Sequence, residues 1–442
     1  MSSERYTLAD IAAPIRNAIV GGPFGSNLVS KDYVAAGVPV IRGQNMGGRY
    51  VSGEFAFVSG EKAVQLSQNL ARPGDLVFTQ RGTLGQVSIV PRGPYEAYVV
   101  SQSQMKITAD STKADVSFLY YLFKTPAQLQ YIFNSAIQTG VPHTNLGILK
   151  ATPIDLPPLP VQKNIAAMVG ALDDRIALLR ETNATLEAIA QALFKSWFVD
   201  FDPVRAKQQG LVPAGMDEAT AALFPDSFEE SALGPVPMGW CIRPICDVVE
   251  AVYDGPHATP PEASGGPVFL GIKNLTGTGL DLTETRHIAE DDWGQWTRRV
   301  TPRFGDIVFS YEATLGFFAL IPPGIRSCLG RRLALIRPKA ANGHGHFWFH
   351  QFVAAPFQQL LSKHTIQGAT VNRIALKEFP SYSVMCPPEA LTGVFEERVA
   401  PLWARIHQNH AQAQTLATVR DTLLPRLISG QLRLPAAKAL AD

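Results

Sequence analysis

Histidines are the first residues whose type and spacing suggest chemistry. His344, His346 and His350 lie close together in the sequence. Three imidazole nitrogens can hold a zinc ion when a fourth ligand completes the site. No cysteine or carboxylate lies beside them to support such a site. We therefore predict a loop that leads into a helix over 347–357, and no metal site.

The sequence motifs of DNA-modifying and DNA-cleaving chemistry are absent. Amino-methyltransferases carry Asp or Asn before Pro-Pro-aromatic, and this sequence has no such tetrapeptide. Metal-dependent nucleases use Asp or Glu two residues before Lys, and that spacing is also missing. A phosphate-binding loop of the form GxxxxGK[ST] does not occur. We predict a chain without catalytic residues, metal or cofactor of its own.

Basic residues are concentrated in one stretch of a chain whose net charge is only +1. The neutral balance argues against a general polyanion binder. A local basic patch is nevertheless typical of a protein that reads a DNA groove. The alternative is a solvated charged face, and it stays open at this point. The eight residues between 297 and 339 are Arg298, Arg299, Arg303, Arg326, Arg331, Arg332, Arg337 and Lys339.

Length and composition limit the class of protein. A chain of 442 residues exceeds one ordinary core, so at least two domains are expected. No apolar run approaches the length of a membrane span, and the first residues lack the apolar core of a signal peptide. We predict a cytoplasmic protein without a membrane segment. Cys241, Cys246, Cys328 and Cys386 show no metal-binding spacing and predict no disulfide framework.

The chain repeats itself at an interval of about 230 residues, which predicts two copies of one domain over 1–157 and 240–386. Gly74, Gly85 and Pro91 recur at one interval as Gly305, Gly316 and Pro322. Short β-rich runs such as 76–79 and 86–90, followed by an amphipathic helix over 118–137, predict a mixed α/β fold with small twisted sheets. Between the copies we expect a polar connector over 202–239 with one short helix near 219–223, and after them a tail over 435–442.

A long heptad helix follows each copy, over 158–201 and over 387–434. The matching seams predict an antiparallel coiled coil with pseudo-twofold symmetry. One asparagine in each seam is expected to fix the register. Pro401 predicts that the second helix starts or kinks there. The seam residues are Leu172, Ile176, Leu179, Asn183, Leu186 and Leu193 in the first helix, and Leu402, Ile406, Asn409, Leu416 and Leu423 in the second.

Several motifs resemble those of the specificity subunits of type I restriction–modification enzymes. The early motif is Gly22-Pro23-Phe24-Gly25-Ser26, and the others lie in the segments 145–176, 192–204 and 423–430. The resemblance covers nearly the whole chain. It implies that each copy is a target-recognition domain and that each domain reads one half of a split double-stranded DNA sequence.

The resemblance also implies partners. The helices would set the spacing between half-sites and dock two methyltransferase subunits, and restriction or translocase subunits would complete the enzyme. S-adenosylmethionine, ATP and Mg²⁺ would then be bound by those partners. Half-sites one duplex turn apart are separated by about 34 Å, and a helix of this length reaches about 60 Å.

Loops that match between the copies but differ in side chains are expected to read the two half-sites, because arginine, asparagine, glutamine and acidic side chains recognise base edges. The hairpin loop is the clearest case, with Gln80-Arg81 in the first copy and Tyr311-Glu312 in the second. The first set is Phe24, Ser26, Arg42, Asn45, Gln80, Arg81, Thr83, Gln102, His143, Thr144 and Asn145. The second set is His257, Lys273, Asn274, Tyr311, Glu312, Thr314, Arg331, Arg332, Thr370, Asn372 and Arg373, with Asn372 aligned to Asn145.

Three hypotheses follow for the function. The leading one is a non-catalytic subunit that recognises a bipartite DNA target. The second is a coiled-coil scaffold whose repeated domains bind only protein. The third is an enzyme with an unrecognised active site. Contacts to phosphates alone would position the protein without specifying sequence, and a salt bridge from Glu312 to a neighbouring arginine remains an alternative for that residue.

Overall fold

A computed structural model describes residues 3–138, 140–231, 234–339, 345–368 and 370–433. His344 and the predicted tail over 435–442 lie outside the described residues. The chain divides into two compact units, Met1–Ala177 with Thr415–Asp442, and Leu178–Gln414. In the described ranges, no helix is both apolar and long enough to cross a membrane.

The first unit contains a four-stranded sheet of order β2-β10-β7-β8, a five-stranded sheet of order β3-β5-β4-β9-β6, and the pair β1-β11. Its strands are β1 (Glu4–Thr7), β2 (Ile19–Gly21), β3 (Tyr33–Val34), β4 (Val38–Ile41), β5 (Ala56–Val58), β6 (Leu70–Ala71), β7 (Leu76–Thr79), β8 (Val87–Ile89), β9 (Tyr98–Val100), β10 (Gln104–Ile107) and β11 (Pro153–Leu156). Its short helices are α1 (Gly60–Gln65), α2 (Val116–Leu122), α3 (Pro126–Ser135) and α4 (Leu146–Ala151). The two strands predicted over 76–79 and 86–90 are confirmed as β7 and β8, which pair antiparallel.

The helix predicted over 118–137 is wrong in one respect, because two helices occupy this segment. Pro126 begins α3 and has no N–H to continue the preceding helix. Thr125 caps the new helix, since its side chain accepts a hydrogen bond from the Gln128 amide. A proline at the first helical turn is the usual arrangement at such a boundary.

The segment between the repeats is more structured than the predicted polar connector. The first long helix, α5 (Leu159–Phe198), is followed by α6 (Asp202–Gln208), α7 (Glu218–Ala222), β12 (Phe228–Glu229) and β13 (Val236–Pro237). The short helix predicted near 219–223 is confirmed as α7. Val204 and Phe224 are buried in the same core as Trp197. Apolar residues spaced along a polar segment therefore fold it into the core of the second unit.

The second unit repeats the topology of the first. Its sheets have the orders β15-β21-β18-β19 and β17-β16-β20, with the pair β14-β24. Its strands are β14 (Cys241–Pro244), β15 (Val249–Asp254), β16 (Ala263–Leu270), β17 (Arg286–His287), β18 (Ile307–Ser310), β19 (Phe318–Leu320), β20 (Ser327–Leu329), β21 (Leu333–Pro338), β22 (Thr365–Ile366), β23 (Arg373–Ile374) and β24 (Ser383–Cys386). Its helices are α8 (Ile245–Val248), α9 (Trp293–Trp296), α10 (Gly345–Val353), α11 (Ala355–Lys363) and α12 (Glu389–Ile428).

The four-stranded sheets of the two units correspond strand by strand, whereas the second sheet has five strands in the first unit and three in the second. Each four-stranded sheet runs in the same order, and a parallel pair recurs as β4 with β9 and β16 with β20. The helix predicted over 347–357 is again divided, here into α10 and α11, because Pro356 falls in the first turn of α11. The duplication predicted from glycine and proline spacing is therefore a duplication of sheet topology.

The two long helices pack against each other in antiparallel directions. In the first unit Ile165 and Val169 of α5 share a core with Leu423 and Leu427 of α12. In the second unit Phe194 of α5 packs on Phe395 of α12, with ring centroids 5.6 Å apart. Most predicted seam residues are buried, and Leu172, Leu186, Leu193, Leu402 and Leu416 are half-buried.

The predicted seam asparagines contact each other directly. The Asn409 amide donates to Asn183 Oδ1 over 2.8 Å, and the Asn183 amide donates to the Ile406 carbonyl over 3.2 Å. Both side chains are buried, at 1% and 4% exposure. A buried amide pair satisfied in only one alignment fixes the register of the two helices.

Pro401 does not begin the second helix as predicted. Helix α12 starts at Glu389 and continues through Pro401 to Ile428. Pro401 is exposed, so its lost backbone hydrogen bond faces water, where the carbonyl left without a donor can be solvated. Leu391 and Phe395 are fully buried upstream of it, and this packing stabilises the first turns.

Candidate nucleic-acid interface

Four loops of the first unit are joined into one cluster, over 22–28, 80–83, 101–104 and 140–144. The backbone N–H of Gln80 donates to the backbone carbonyl of Ser103 over 2.7 Å. The backbone N–H of Thr144 donates to the backbone carbonyl of Gln80 over 2.9 Å. Arg81 and His143 form an antiparallel bridge. The hairpin loop and the loop before α4, both singled out from sequence, therefore lie side by side. We refer to these four segments as the first loop cluster.

The Gly22-Pro23-Phe24 turn depends on a close backbone approach. A Cβ atom at Gly22 would lie 1.8 Å from the Ser101 carbonyl oxygen, so only glycine fits. The Gln102 side chain donates to the carbonyls of Gly25 over 2.8 Å and Leu28 over 3.1 Å. Gln102 therefore supports the turn, and its amide group is engaged within the fold.

The predicted readers of the first unit divide into exposed and buried residues. Phe24, Ser26, Arg81 and Thr83 are exposed, and Phe24 has 73% of its surface accessible. His143 and Arg42 are half-buried. The exposed group lies on the first loop cluster, which is the arrangement required of side chains that contact a ligand outside the domain.

Asn45, Gln80, Thr144 and Asn145 have structural roles in the first unit. Asn45 is buried, accepts from the Arg42 amide over 3.0 Å and donates to the Glu54 carbonyl over 2.9 Å. Gln80 and Thr144 are buried. Asn145 caps α4 by accepting from the Ile148 amide over 2.9 Å. We keep these four residues out of the set proposed to contact DNA, because their side chains are buried or used inside the fold.

The second unit holds an equivalent second loop cluster, over 254–259, 311–314, 330–332 and 370–374. The Tyr311 amide donates to the Arg332 carbonyl over 3.2 Å, and the Ile374 amide donates to the Tyr311 carbonyl over 2.8 Å. Glu312 and Arg373 form the antiparallel bridge that corresponds to Arg81 and His143. The framework of the first loop cluster is thus built twice.

This framework corrects one detail of the sequence alignment. The hydrogen bonds align His143 with Arg373 and Thr144 with Ile374. The predicted match of Asn145 with Asn372 is therefore wrong. Asn145 caps a helix, whereas Asn372 is an exposed loop residue. The Asn372 carbonyl accepts from the Ala313 amide over 3.0 Å.

Asp254 organises the side chains of the second loop cluster. Its carboxylate accepts from the Tyr311 hydroxyl over 2.9 Å and contacts His257 Nε2 at 2.8 Å and Arg299 Nη1 at 3.2 Å. Burial, and next the hydrogen bond to Asp254, raises the pKa of the Tyr311 hydroxyl well above its ordinary value, so Tyr311 stays a donor. Tyr311 is buried and His257 is exposed.

Backbone strain is present in the second loop cluster. Ala313 and Arg332 have φ values of 66° and 72°, in the left-handed region that non-glycine residues rarely adopt. Each costs of order 1–3 kcal/mol, and such strain is found most often at functional sites. Glu312 Oε2 lies 3.5 Å from Arg332 Nε. The salt bridge to a neighbouring arginine, which the sequence left open as an alternative for Glu312, is therefore present.

The remaining predicted readers of the second unit are mostly exposed. They are Lys273, Arg331, Thr370, Asn372 and Arg373, with Thr314 half-buried. Asn274 is buried, accepts from the Gly271 amide over 2.9 Å and donates to the Asp281 carbonyl over 2.9 Å. It has the same role as Asn45, and we likewise exclude it from the set proposed to contact DNA.

The basic stretch between 297 and 339 is largely neutralised by carboxylates within it and in other segments. Arg303 contacts Glu250 at 3.2 Å, Arg326 contacts Glu290 at 2.9 Å, and Arg337 contacts Asp306 at 2.6 Å. Within the described part of the chain, Arg298 and Arg331 form no ion pair, and both are exposed. The free positive charge is therefore smaller than the sequence indicates.

Two of the three clustered histidines, His346 and His350, lie in the described part of the chain, and both are hydrogen-bonded to neighbouring side chains. His346 contacts Glu396 through Nδ1 at 2.5 Å, and His350 Nε2 accepts from the Trp403 indole over 3.2 Å. Burial lowers the pKa of His350 to about 3, so this imidazole is neutral. No group of three metal-type ligands occurs among the residues that the structure describes.

Sequence reasoning missed Asp254 of the second loop cluster, and it counted Arg299 in the basic stretch without placing it beside this cluster. The signal was present, because Asp254 precedes the Gly255-Pro256 pair where Gly21 precedes Gly22-Pro23. Arg299 is far from these residues in sequence, and only the fold brings it to the Gly255 carbonyl, at 2.9 Å.

Comparison with known proteins gives consistent results. The family model for the type I restriction modification DNA specificity domain matches residues 28–188. The MjaIX type I specificity subunit of Methanocaldococcus jannaschii is 24% identical over 430 residues, covering 94% of this chain and 91% of the relative. The HindI type I specificity subunit of Haemophilus influenzae is 25% identical over 418 residues, covering 82% and 87%.

A solved structure shares the fold. It is the S subunit of the type I restriction–modification system of M. genitalium, with a TM-score of 0.55 and 14% sequence identity over 96% of both chains. The family model, the full-length relatives and the repeated fold agree with the motifs read from the sequence. Over most of its length the chain is similar to the specificity subunits of type I restriction–modification enzymes.

Proposed function

We propose that the two loop clusters each read one half of a bipartite double-stranded DNA target. The observation that supports this proposal is that the two clusters share one backbone hydrogen-bond framework but present different side chains. Equivalent backbone hydrogen bonds hold both clusters, whereas the side chains at matched positions differ, as with Arg81 and Glu312. Side chains on a conserved loop framework can change base preference without changing the fold.

The residues proposed to contact DNA are the predicted residues that are exposed or half-exposed, apart from Gln102 and Asn145, whose side chains hydrogen-bond to backbone groups of the same unit. In the first unit they are Phe24, Ser26, Arg42, Arg81, Thr83 and His143. In the second they are His257, Lys273, Glu312, Thr314, Arg331, Arg332, Thr370, Asn372 and Arg373. We expect some of these to contact phosphates, which position the protein, and others to contact bases.

The long helices are proposed to set the distance between half-sites and to dock two methyltransferase subunits. Each helix follows its own copy of the repeat, and the Asn183–Asn409 pair fixes their register. Leu178 and Ile189 are each 50% exposed on α5, outside the seam. Apolar side chains of this kind suit a protein partner that covers them.

Catalysis is proposed to belong to those partners. Methyl transfer would require S-adenosylmethionine, and cleavage would require ATP, Mg²⁺ and restriction or translocase subunits. The chain would act in the cytoplasm, where its DNA target lies. The scaffold alternative is not favoured, because the family model that matches residues 28–188 describes a DNA specificity domain.

The replacement Arg81→Ala tests the proposal. The chain is produced with its methyltransferase partner in cells, and the methylated motif is mapped across the genome. Loss of an exposed arginine from the first loop cluster should relax or abolish recognition of one half-site and leave the second half-site intact.

Arg5→Ala is the matched control, since Arg5 is an exposed arginine of the same unit that pairs with Asp155 on the β1-β11 sheet. It should leave the motif unchanged. An unchanged motif in Arg81→Ala would remove this residue from the reading set. Absence of any split motif for the wild-type complex would contradict the proposed function.

A further inference from the structure

We propose that Arg299 determines the specificity of the second unit by reading a guanine in its half-site. The assignment rests on the proposed function and adds to it one residue and one base. Arg299 stands outside the loops that sequence comparison singles out, and the fold brings it to the second loop cluster.

One nitrogen of the Arg299 guanidinium is anchored to the turn at Gly255. Nη1 donates to the Gly255 carbonyl over 2.9 Å and to the Asp254 carboxylate over 3.2 Å, and it lies 3.5 Å from the Asp254 carbonyl. These three contacts share a single nitrogen. They fix the plane of the guanidinium without engaging its other donors.

The opposite edge of the guanidinium is available to a ligand. Among the residues that the structure describes, neither Nε nor Nη2 of Arg299 donates a hydrogen bond. The side chain is 49% exposed. An arginine edge with two parallel N–H groups matches O6 and N7 of guanine, which is the most common specific contact in the major groove.

Asp254 is held in place by further contacts. Tyr311, which is 5% exposed, donates its hydroxyl to one carboxylate oxygen over 2.9 Å. His257 Nε2 contacts the other oxygen at 2.8 Å. A carboxylate fixed from two sides orients the arginine before DNA arrives, so less conformational entropy is lost on binding. The salt bridge with Arg299 also offsets the repulsion between this carboxylate and DNA phosphates.

The first unit shows the same anchor with a different side chain. There the Asn69 amide donates to the Gly21 carbonyl over 2.8 Å. Gly21 and Asp254 both precede the Gly-Pro pair, so the Gly21 carbonyl corresponds to the Asp254 carbonyl, which lies 3.5 Å from Arg299 Nη1. Both copies thus place a side chain against the same turn, but an amide in the first and a guanidinium in the second. A position of this kind is expected to distinguish the two half-sites.

Arg298 is a neighbouring arginine with a different environment. It is exposed, and it forms no ion pair with a described residue. An arginine without a fixed orientation can neutralise a phosphate but selects no base. The pair Arg298 and Arg299 therefore gives a matched comparison of two adjacent arginines.

The test maps the methylated motif in cells that produce the full chain and its methyltransferase partner, with either Arg299→Ala or Arg298→Ala. Arg299→Ala should make one G·C position of one half-site degenerate, while the other half-site and the gap stay unchanged. Arg298→Ala should leave the motif unchanged. If Arg299→Ala abolishes methylation, the purified complex is titrated with duplexes of the wild-type motif and of single-base variants.

In that titration the wild-type complex should prefer guanine at one position by about 5- to 150-fold, and Arg299→Ala should lose this preference. Equal weakening on all duplexes, or a full motif retained in Arg299→Ala, would overturn the assignment while leaving the proposed function in place. A wild-type complex that methylates no split motif would overturn the proposed function and this assignment together.

Discussion

The asparagine pair between the long helices allows a quantitative prediction. In the native structure Asn183 Oδ1 accepts from Asn409 over 2.8 Å, and Asn183 donates to the Ile406 carbonyl over 3.2 Å. Replacing Asn409 by leucine removes the donor and leaves the Asn183 oxygen buried. Stranding a buried polar group costs about 1–3 kcal/mol of unfolding free energy.

Replacing both asparagines has a different consequence. With leucine at 183 and 409 no amide is stranded, and two apolar side chains fill a seam that is otherwise apolar. The double variant should have a free energy of unfolding close to the wild-type value, or higher. The two single variants should each be less stable than the double variant, and the coupling between the sites should be about 0.5–3 kcal/mol.

Urea denaturation followed by circular dichroism measures all four proteins. The reasoning would be refuted if each single replacement cost less than about 0.5 kcal/mol, or if the cost of the double replacement equalled the sum of the two. A double variant that is stable but methylates targets with more than one gap length would show that the pair serves register rather than stability.

Two further predictions concern stability. Asp306→Asn should lower the free energy of unfolding by about 3–5 kcal/mol, because Arg337 would remain buried without its charged partner. The side chains of Asp306 and Arg337 are only 2% and 11% exposed. The exposed pair of Arg5 and Asp155 is the control, and Arg5→Ala should leave the free energy of unfolding nearly unchanged. Burial lowers the pKa of His350 to about 3 in the folded protein, so the unfolded chain binds a proton at this residue more readily. The stability that the neutral imidazole provides is therefore present above about pH 6.5 and is lost progressively as the pH falls toward 3. His350→Phe should reduce this acid dependence in thermal melts at pH 5 and pH 7.5, and an unchanged dependence would assign the acid sensitivity to other groups.

Most of the architecture followed from periodicity. The heptad pattern predicted both long helices and their seam, since packing along a seam repeats over many residues and tolerates local exceptions such as Pro401. The matched glycines predicted the repeated sheets. Helix boundaries were less predictable, because Pro126 and Pro356 each start a new helix inside a continuous apolar pattern.

The site was predicted only in part. Pattern comparison found the hairpin loop and its neighbour, which the structure joins through Arg81 and His143. It could not tell an exposed loop residue from a buried one, so Asn45 and Gln80 entered the predicted set although both are buried. Arg299 was not placed beside the second loop cluster because its contact with Gly255 depends on tertiary folding over 44 residues of sequence.

The most direct test of the central claim is a genome-wide map of methylated bases in cells that produce this chain with its methyltransferase partner. The account predicts a single motif of two specified half-sites, separated by a gap of fixed length and unspecified sequence. It also predicts that changes in the first loop cluster alter one half-site and changes in the second alter the other. A contiguous motif, or one in which a change in either cluster alters both halves, would contradict the account.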